Sequence, residues 1–363
     1  MPETLSAAPA QRIQAIDLAR GLAVCLMILS HGVNGLLDFD QFTSWGLVPV
    51  HATTKIASSL FIMVFGIALA VAFVPHTGDA EWPRRRHKLL LRGVLVLFWY
   101  KLLTIVEMAP THPPGEVLDA LLYRRFPSYV EILGFYAIAL LWMPFALPLW
   151  PRLPRALRVA SPLLALLLAW LVARLVDFGT HHQLQALLIE HEDHYTWGQL
   201  SRLPLVLLGL LIGGWLLDAR DRTGARLRLA ALLAAAGALL LLAFAIDAGP
   251  ALVERLEAIA RNAGKHPPEL RFMLFSLGGA LLALGIAIAG GEGLARLLAP
   301  VTVVGTDALK AFVFHIFVIF VLLRWLLGYL HAVSYMHALL LTLALILATA
   351  AWIKLTSWVH ARA

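Results

Sequence analysis

Three side chains near the start of the chain could do acid–base chemistry from one stripe of a helix: Asp17, Arg20 and His31. Asp17 and Arg20 stand i,i+3 and can pair. At 100° per residue, the eleven steps from Arg20 to His31 return to within about 20° of the starting face, with a rise of about 16 Å. One helix would then carry an acid and a cation at its mouth and an imidazole well above them. Imidazole suits a general base or a nucleophile because its ordinary pKa lies near neutrality. The plainer account has Arg20 and Asp17 as an interfacial anchor and cap and His31 as a buried, hydrogen-bonded histidine. Their common stripe favours chemistry. Gly305-Thr306-Asp307-Ala308-Leu309-Lys310 through His315 repeats the theme. Asp307 and Lys310 lie one turn apart, and His315 lies deeper, where it could approach His31.

Other ionisable residues fall within apolar runs: Lys55, Lys101, Glu107, Glu131, Arg202 and Arg271. Each costs about 2.5–3.5 kcal/mol at the centre of a membrane helix, and a shared polar cavity would account for all of them. Lys55, Glu107, Glu131 and Arg202 are expected to line an acceptor pocket. The run Arg84-Arg85-Arg86-His87-Lys88, with Arg92, has the charge to hold phosphates, although the same residues also serve topology. His181-His182 and Glu190-His191-Glu192-Asp193-His194 match no zinc spacing, so a solvated loop is expected and no metal. Cys25, the single cysteine, reads as a small hydrophobe.

The elements that must position these groups follow from composition. Of 363 residues, 60% are hydrophobic and 14% charged, whereas soluble domains are about 25% charged. Apolar runs at 20–38, 52–74, 88–108, 128–149, 157–177, 198–217, 227–247, 270–290, 300–326 and 334–354 predict an all-α, polytopic bundle of about ten transmembrane helices. The expected organisation is a tail at 1–11 and one transmembrane domain over 12–363. A signal peptide is disfavoured because Asp17 and Arg20 precede the first run and no small-residue cleavage site follows it. The net charge of +7 is a matter of topology rather than nucleic-acid binding. With both termini in the cytoplasm, inner connections hold 17 Lys and Arg against 6 in the outer ones. A multi-pass protein of a bacterial cytoplasmic (inner) membrane is expected. The seventh and tenth runs, almost free of charge, should face lipid, and Trp45, Trp150, Trp197 and Trp358 should anchor span ends.

The pattern Arg12-x-x-x-x-Asp17-x-x-Arg20-Gly21-Leu22-Ala23, ending at His31, resembles the opening helix of the transmembrane acyltransferase superfamily. Its Arg-x10-His spacing is similar to that of acyltransferase family three. Lys265-His266-Pro267-Pro268-Glu269-Leu270, running on to Gly278, resembles the Lys-Tyr-Pro-Pro-Ser-Leu segment of heparan-alpha-glucosaminide N-acetyltransferase and its bacterial homologues. Val304-Gly305 through His315 resembles that branch's Gly-Arg-x-Pro-Leu-Phe-x-Tyr-x-x-His helix. Two departures stand out. Glu269 replaces the branch's usual serine. The stretch Gln41-Phe42-Thr43-Ser44-Trp45 lacks the histidine that the lysosomal enzyme carries before Ala-Ser-Trp, so an acyl-histidine would need His31 or His51.

The resemblance implies transfer of an acetyl or other acyl group from acetyl-CoA to an extracytoplasmic sugar or amino sugar, in the lipid bilayer. His31, Arg20, Asp17 and His315 would be catalytic. Arg84, Arg85, Arg86, Lys88, Arg92 and Lys310 would hold the donor, and Lys55, Glu107, Glu131, Arg202 and Glu269 the acceptor. A secondary transporter, with the buried His, Lys and Glu as its pathway, is the alternative, though no internal repeat is visible. The oligomeric state stays open, a homodimer being one option.

Overall fold

The computed structural model describes residues 13–37 and 46–360. Ten of its helical segments are long and apolar enough to cross a membrane, and all ten apolar runs of the sequence are among them. The chain is a multi-pass integral membrane protein. Its α-helices are α1 (Gln14–Leu36), α2 (Ile56–Ala72), α3 (Trp82–Met108), α4 (Pro114–Leu121), α5 (Glu131–Ala146), α6 (Arg155–Leu175) and α7 (His182–Ile189). There follow α8 (Gln199–Asp218), α9 (Thr223–Ala248), α10 (Leu252–Ala260), α11 (Leu270–Leu297), α12 (Ala299–Thr306), α13 (Ala308–Phe317) and α14 (Tyr335–His360). Residues Leu47–Ala52 and Val318–Leu326 form wider π-type turns that extend α2 and α13.

The helix with the candidate chemistry is the axis of the bundle. α1 packs against α2, α11, α12, α13 and α14. Its small residues allow this: Ala15, Ala19, Gly21, Ala23, Gly32 and Gly35 are all buried, and small side chains let helix backbones approach closely. Helices without such a stripe lie outside. α6 buries only 11% of its most apolar window, less than the charge-poor seventh and tenth spans at 28% and 33%. All three turn apolar surface outward, as lipid-facing helices do.

The ninth span departs from the single run expected at 300–326. It breaks at Asp307, whose backbone (φ −141°, ψ 78°) is not helical. The Asp307 carboxylate accepts a hydrogen bond from the Lys310 backbone N–H at 3.1 Å and so caps α13. Lys310 Nζ also pairs with it at 3.3 Å, so the pairing read from the sequence coexists with a cap. The break lets α12 cross α1 glycine to glycine. A Cβ added at Gly305 would collide with the Asp17 carbonyl, and one at Gly21 with the Val301 carbonyl. Both obstacles are backbone and cannot rotate away.

Basic connections gather at the end where α1 begins. The first residues of α1 share a cavity of about 150 Å³ with Arg220, Arg226 and Glu292. Arg20 shares a larger one with Arg92. This is the basic end of the bundle.

Substituting Gly305→Ala is expected to destabilise the folded protein by about 1–3 kcal/mol through overpacking, read as a lower melting temperature in detergent. Gly214→Ala in α8, where an added Cβ meets nothing within 4 Å, should leave the melting temperature unchanged or raise it.

Candidate functional site

The site starts with two rings. His31 Nδ1 lies 3.2 Å from His315 Nε2, and His315 Nδ1 lies 2.9 Å from the Ala311 carbonyl oxygen. A carbonyl can only accept, so His315 Nδ1 carries the proton and donates it. His315 Nε2 is then a lone pair, and His31 Nδ1 must be the donor to it. This chain fixes one tautomer of His31 and leaves its Nε2 unprotonated. His315 is fully buried; it orients the other ring and touches no cavity. Two rings so linked have the geometry a base and its orienting group require. Phe312 and Tyr129 close on His31 edge-on, at 6.1 and 5.5 Å between centroids.

Tyr129 is held from below. Glu107 accepts hydrogen bonds from the backbone N–H groups of Ser128 (2.7 Å) and Tyr129 (3.1 Å). Its carboxylate is thus committed to the loop before α5 and lies outside the cavities beside His31, which corrects the expectation that it lines the acceptor pocket. The apolar surroundings push the Tyr129 phenol up to about 12, so it stays a neutral wall.

His31 opens away from the basic end. A cavity of about 460 Å³ is lined by His31, Asn34, Tyr129, Glu131, Tyr195 and Lys265, with Arg261 and Asn262. Beneath it a recess of about 40 Å³ reaches Lys55, Ser58, Trp197 and again His31 and Glu131. Lys55 thus lines the recess, and Glu131 both the recess and the cavity above it. Lys265 Nζ pairs with Glu131 at 3.4 Å and donates to the Tyr195 hydroxyl at 2.6 Å.

Behind this wall lies a network the sequence did not disclose. Arg202 binds Glu190 through two nitrogens, at 2.6 and 3.1 Å, and also donates to the Lys265 carbonyl at 2.8 Å. His266 Nδ1 lies 2.9 Å from the second Glu190 oxygen. Arg202 and Glu190 are 1% and 0% exposed, so Arg202 does not reach the pocket; it props up the segment that presents Lys265. Burial raises the Glu190 carboxyl, but Arg202 and His266 outweigh it and leave it below its ordinary value. Burial also lowers His266 to about 4, against the pull of Glu190, so its Nδ1–H donates from a neutral ring. Glu190 sits at φ +76°, a backbone strain of about 1–3 kcal/mol that the bidentate pair offsets. Trp197, expected to anchor a span end, is 3% exposed and lies under the Arg202 guanidinium at 4.8 Å.

The basic end holds the second large cavity, of about 360 Å³, lined by Arg20, Arg92, Phe65, Tyr136, Phe312 and other apolar groups. Arg20 is fixed by Asp17 at 3.4 Å and by the Gly305 carbonyl at 3.0 Å. The Tyr136 hydroxyl is buried without a hydrogen-bond partner among the described residues.

Arg20 and His31 therefore share a helix stripe but not a hollow. Ile132 faces the recess and Leu133 the basic cavity; Ala57 and Phe61 divide likewise on α2. With Phe312 they form an apolar partition, where the spacing on α1 suggested one continuous passage. Of the expected donor-binding residues, Arg92 lines the basic cavity. Arg84 and Lys88 are exposed and Arg85 and Arg86 half-buried near its mouth, Arg86 lying over Phe145 at 5.3 Å. Lys310 points to Asp307, not into the cavity. Glu269 is exposed at the start of α11, outside the two cavities beside His31. His51 is fully buried against Tyr335, away from both cavities, and Gln41–Trp45 lies outside the described residues. Among the described residues no three His, Cys, Asp or Glu side chains converge as a metal site.

A family model described as an acyltransferase domain matches residues 13–357. No curated protein matches the chain.

The His266–Glu190–Arg202 network sets a pH dependence. His266 is held near 4 when folded and titrates near 6.5 when unfolded, so the unfolded chain binds more protons between these values. Stability should be fully present above about pH 6.5 and fall as pH drops toward 4. A melting series over this range checks it, and His266→Gln should flatten the slope.

Proposed function

The chain belongs to the acyltransferase family whose domain spans 13–357, and on that premise we propose that it moves an acetyl group from acetyl-CoA at the cytoplasmic face to a sugar or amino sugar at the other. The membrane would be a bacterial cytoplasmic membrane, with the basic end inward as Lys and Arg placement favours. The observation that carries this reading is the His31–His315–Ala311 chain, which leaves His31 Nε2 as a lone pair at a polar cavity large enough for a monosaccharide.

In this reading the acceptor lies in the cavity of Lys265 and Glu131, and its hydroxyl or amine gives a proton to His31 Nε2 as it attacks the acetyl carbonyl. The carbon–sulfur bond breaks, and the imidazolium returns the proton to the leaving thiolate. The same lone pair serves an acyl-imidazole route; a labelled protein adduct after acid quench separates the two. Arg20, fixed by Asp17 and Gly305, supports the donor's entry at the basic end, with Arg92 and the Arg84–Lys88 run beside it. The thioester must pass the partition, so the Phe312 side chain has to turn aside during transfer. The likeness of the Lys265–Leu270 segment to the N-acetyltransferase branch supports an amino-sugar acceptor, while the Arg-x10-His spacing supports a hydroxyl.

Radiolabelled acetyl-CoA supplied to inverted membrane vesicles with a panel of sugars tests the reading. Transfer is expected to fall about 10²–10⁴-fold in His31→Ala with the KM for acetyl-CoA little changed, whereas Arg20→Ala should raise that KM. No turnover of acetyl-CoA with any sugar, alongside solute flux that survives both substitutions, would instead mark a transporter.

A further inference from the structure

Lys55 is a cation in an apolar span, 5% exposed, on the turn that begins α2. A charge so placed needs a counterion or a ligand. Among the described residues no carboxylate lies within ion-pairing distance of it: the nearest candidate, Glu131, has its Oε1 engaged by Lys265 at 3.4 Å. The backbone around Lys55 is saturated, its carbonyl accepting from Ser276 at 2.7 Å and from Ser58 at 3.2 Å, so the segment is rigidly mounted. Its side chain lines the recess that His31 also lines.

The charges of the recess and the cavity above it do not balance. Among the described residues Lys55 and Lys265 line them against the carboxylate of Glu131, which Lys265 already engages. In low dielectric an excess of positive charge favours occupation by an anion. Size fits as well. About 40 Å³ accommodates roughly three waters, hence a carboxylate or phosphate group and not a sugar ring, while the 460 Å³ above accommodates the ring. Glu131 lines this space as well, its carboxylate turned to Lys265.

We infer that the acceptor is a sugar bearing an anionic group, carboxylate or phosphate, which Lys55 binds in the recess beside His31 while the ring occupies the cavity of Lys265 and Glu131. This rests on the acyl-transfer reading for the word acceptor, but not for the binding site itself. Lys55 is a specificity residue: it selects the substrate and positions the reacting group at His31 Nε2.

The test is calorimetric binding to the full chain in lipid nanodiscs, without acetyl-CoA, of methyl β-D-glucuronide, α-D-glucose 1-phosphate and the neutral methyl β-D-glucoside. At least one anionic probe should bind about ten-fold or more tightly than the glucoside, and which one does so distinguishes carboxylate from phosphate. The preference should vanish in Lys55→Gln and persist in Lys55→Arg. Equal affinity for all three probes in the wild type, no binding by either anionic probe, or an undiminished preference in Lys55→Gln would overturn the inference. The wild-type comparison stands even where a variant does not fold. The same probes as acetyl acceptors separate the two readings: anion preference in binding without transfer would sink acyl transfer and keep the Lys55 site, and transfer without anion preference would do the reverse.

Discussion

The approach of α1 and α12 at Gly21 and Gly305 is the constraint on which the site depends. With a Cβ at either position the helices would separate, and three consequences of their contact would go together. The Gly305 carbonyl is one of the groups that hold Arg20. The break at Asp307 starts α13 against the same helix, and α13 carries His315 to His31 across a sequence gap of 284 residues. Phe312, nearly one turn before His315, is thereby set into the partition. A contact between two residues without side chains fixes an arginine, a histidine tautomer and a wall.

Much of this was legible in the sequence because membrane spans are written locally. Each of the ten runs is a continuous stretch of apolar residues, and the 100° periodicity of a helix is enough to put Arg20 and His31 on one stripe. The expensive residues were legible for the same reason: Lys55 and Glu131 contradict their surroundings, and both line the cavities beside His31. Proximity in three dimensions was not legible. Glu190 reads as one more acid in a polar loop of histidines, yet it is the most buried carboxylate of the Arg202 network. Lys265 reads as part of a motif and turns out to line the large cavity beside His31. Glu107 and Arg202 were identified as unusual from their positions, but their partners (the Ser128–Tyr129 backbone and Glu190) come from loops whose course no periodicity encodes.

The buried charges divide into two kinds by how they are satisfied. Glu107, Glu190, Arg202 and Asp17 are matched by protein groups at hydrogen-bonding distance, so their energy goes into placing segments. Among the described residues Lys55 has no such partner, and it shares a polar hollow with the unprotonated nitrogen of His31. A charge whose partner is part of the fold builds the scaffold, whereas one left without a partner, mounted on rigid backbone, holds a preference for something that comes from outside.

The apolar partition of Phe312, Leu133 and Phe61 has an electrical consequence. A water-filled tube joining the two cavities would let protons and ions run down the membrane potential, at about 2.3 kcal/mol per charge for each 100 mV. Two blind wells set base to base behave instead as a plugged insulator. Only an uncharged group on a slender tether could cross the plug by displacing a single ring, and the cell's ion gradients would be left undischarged behind it.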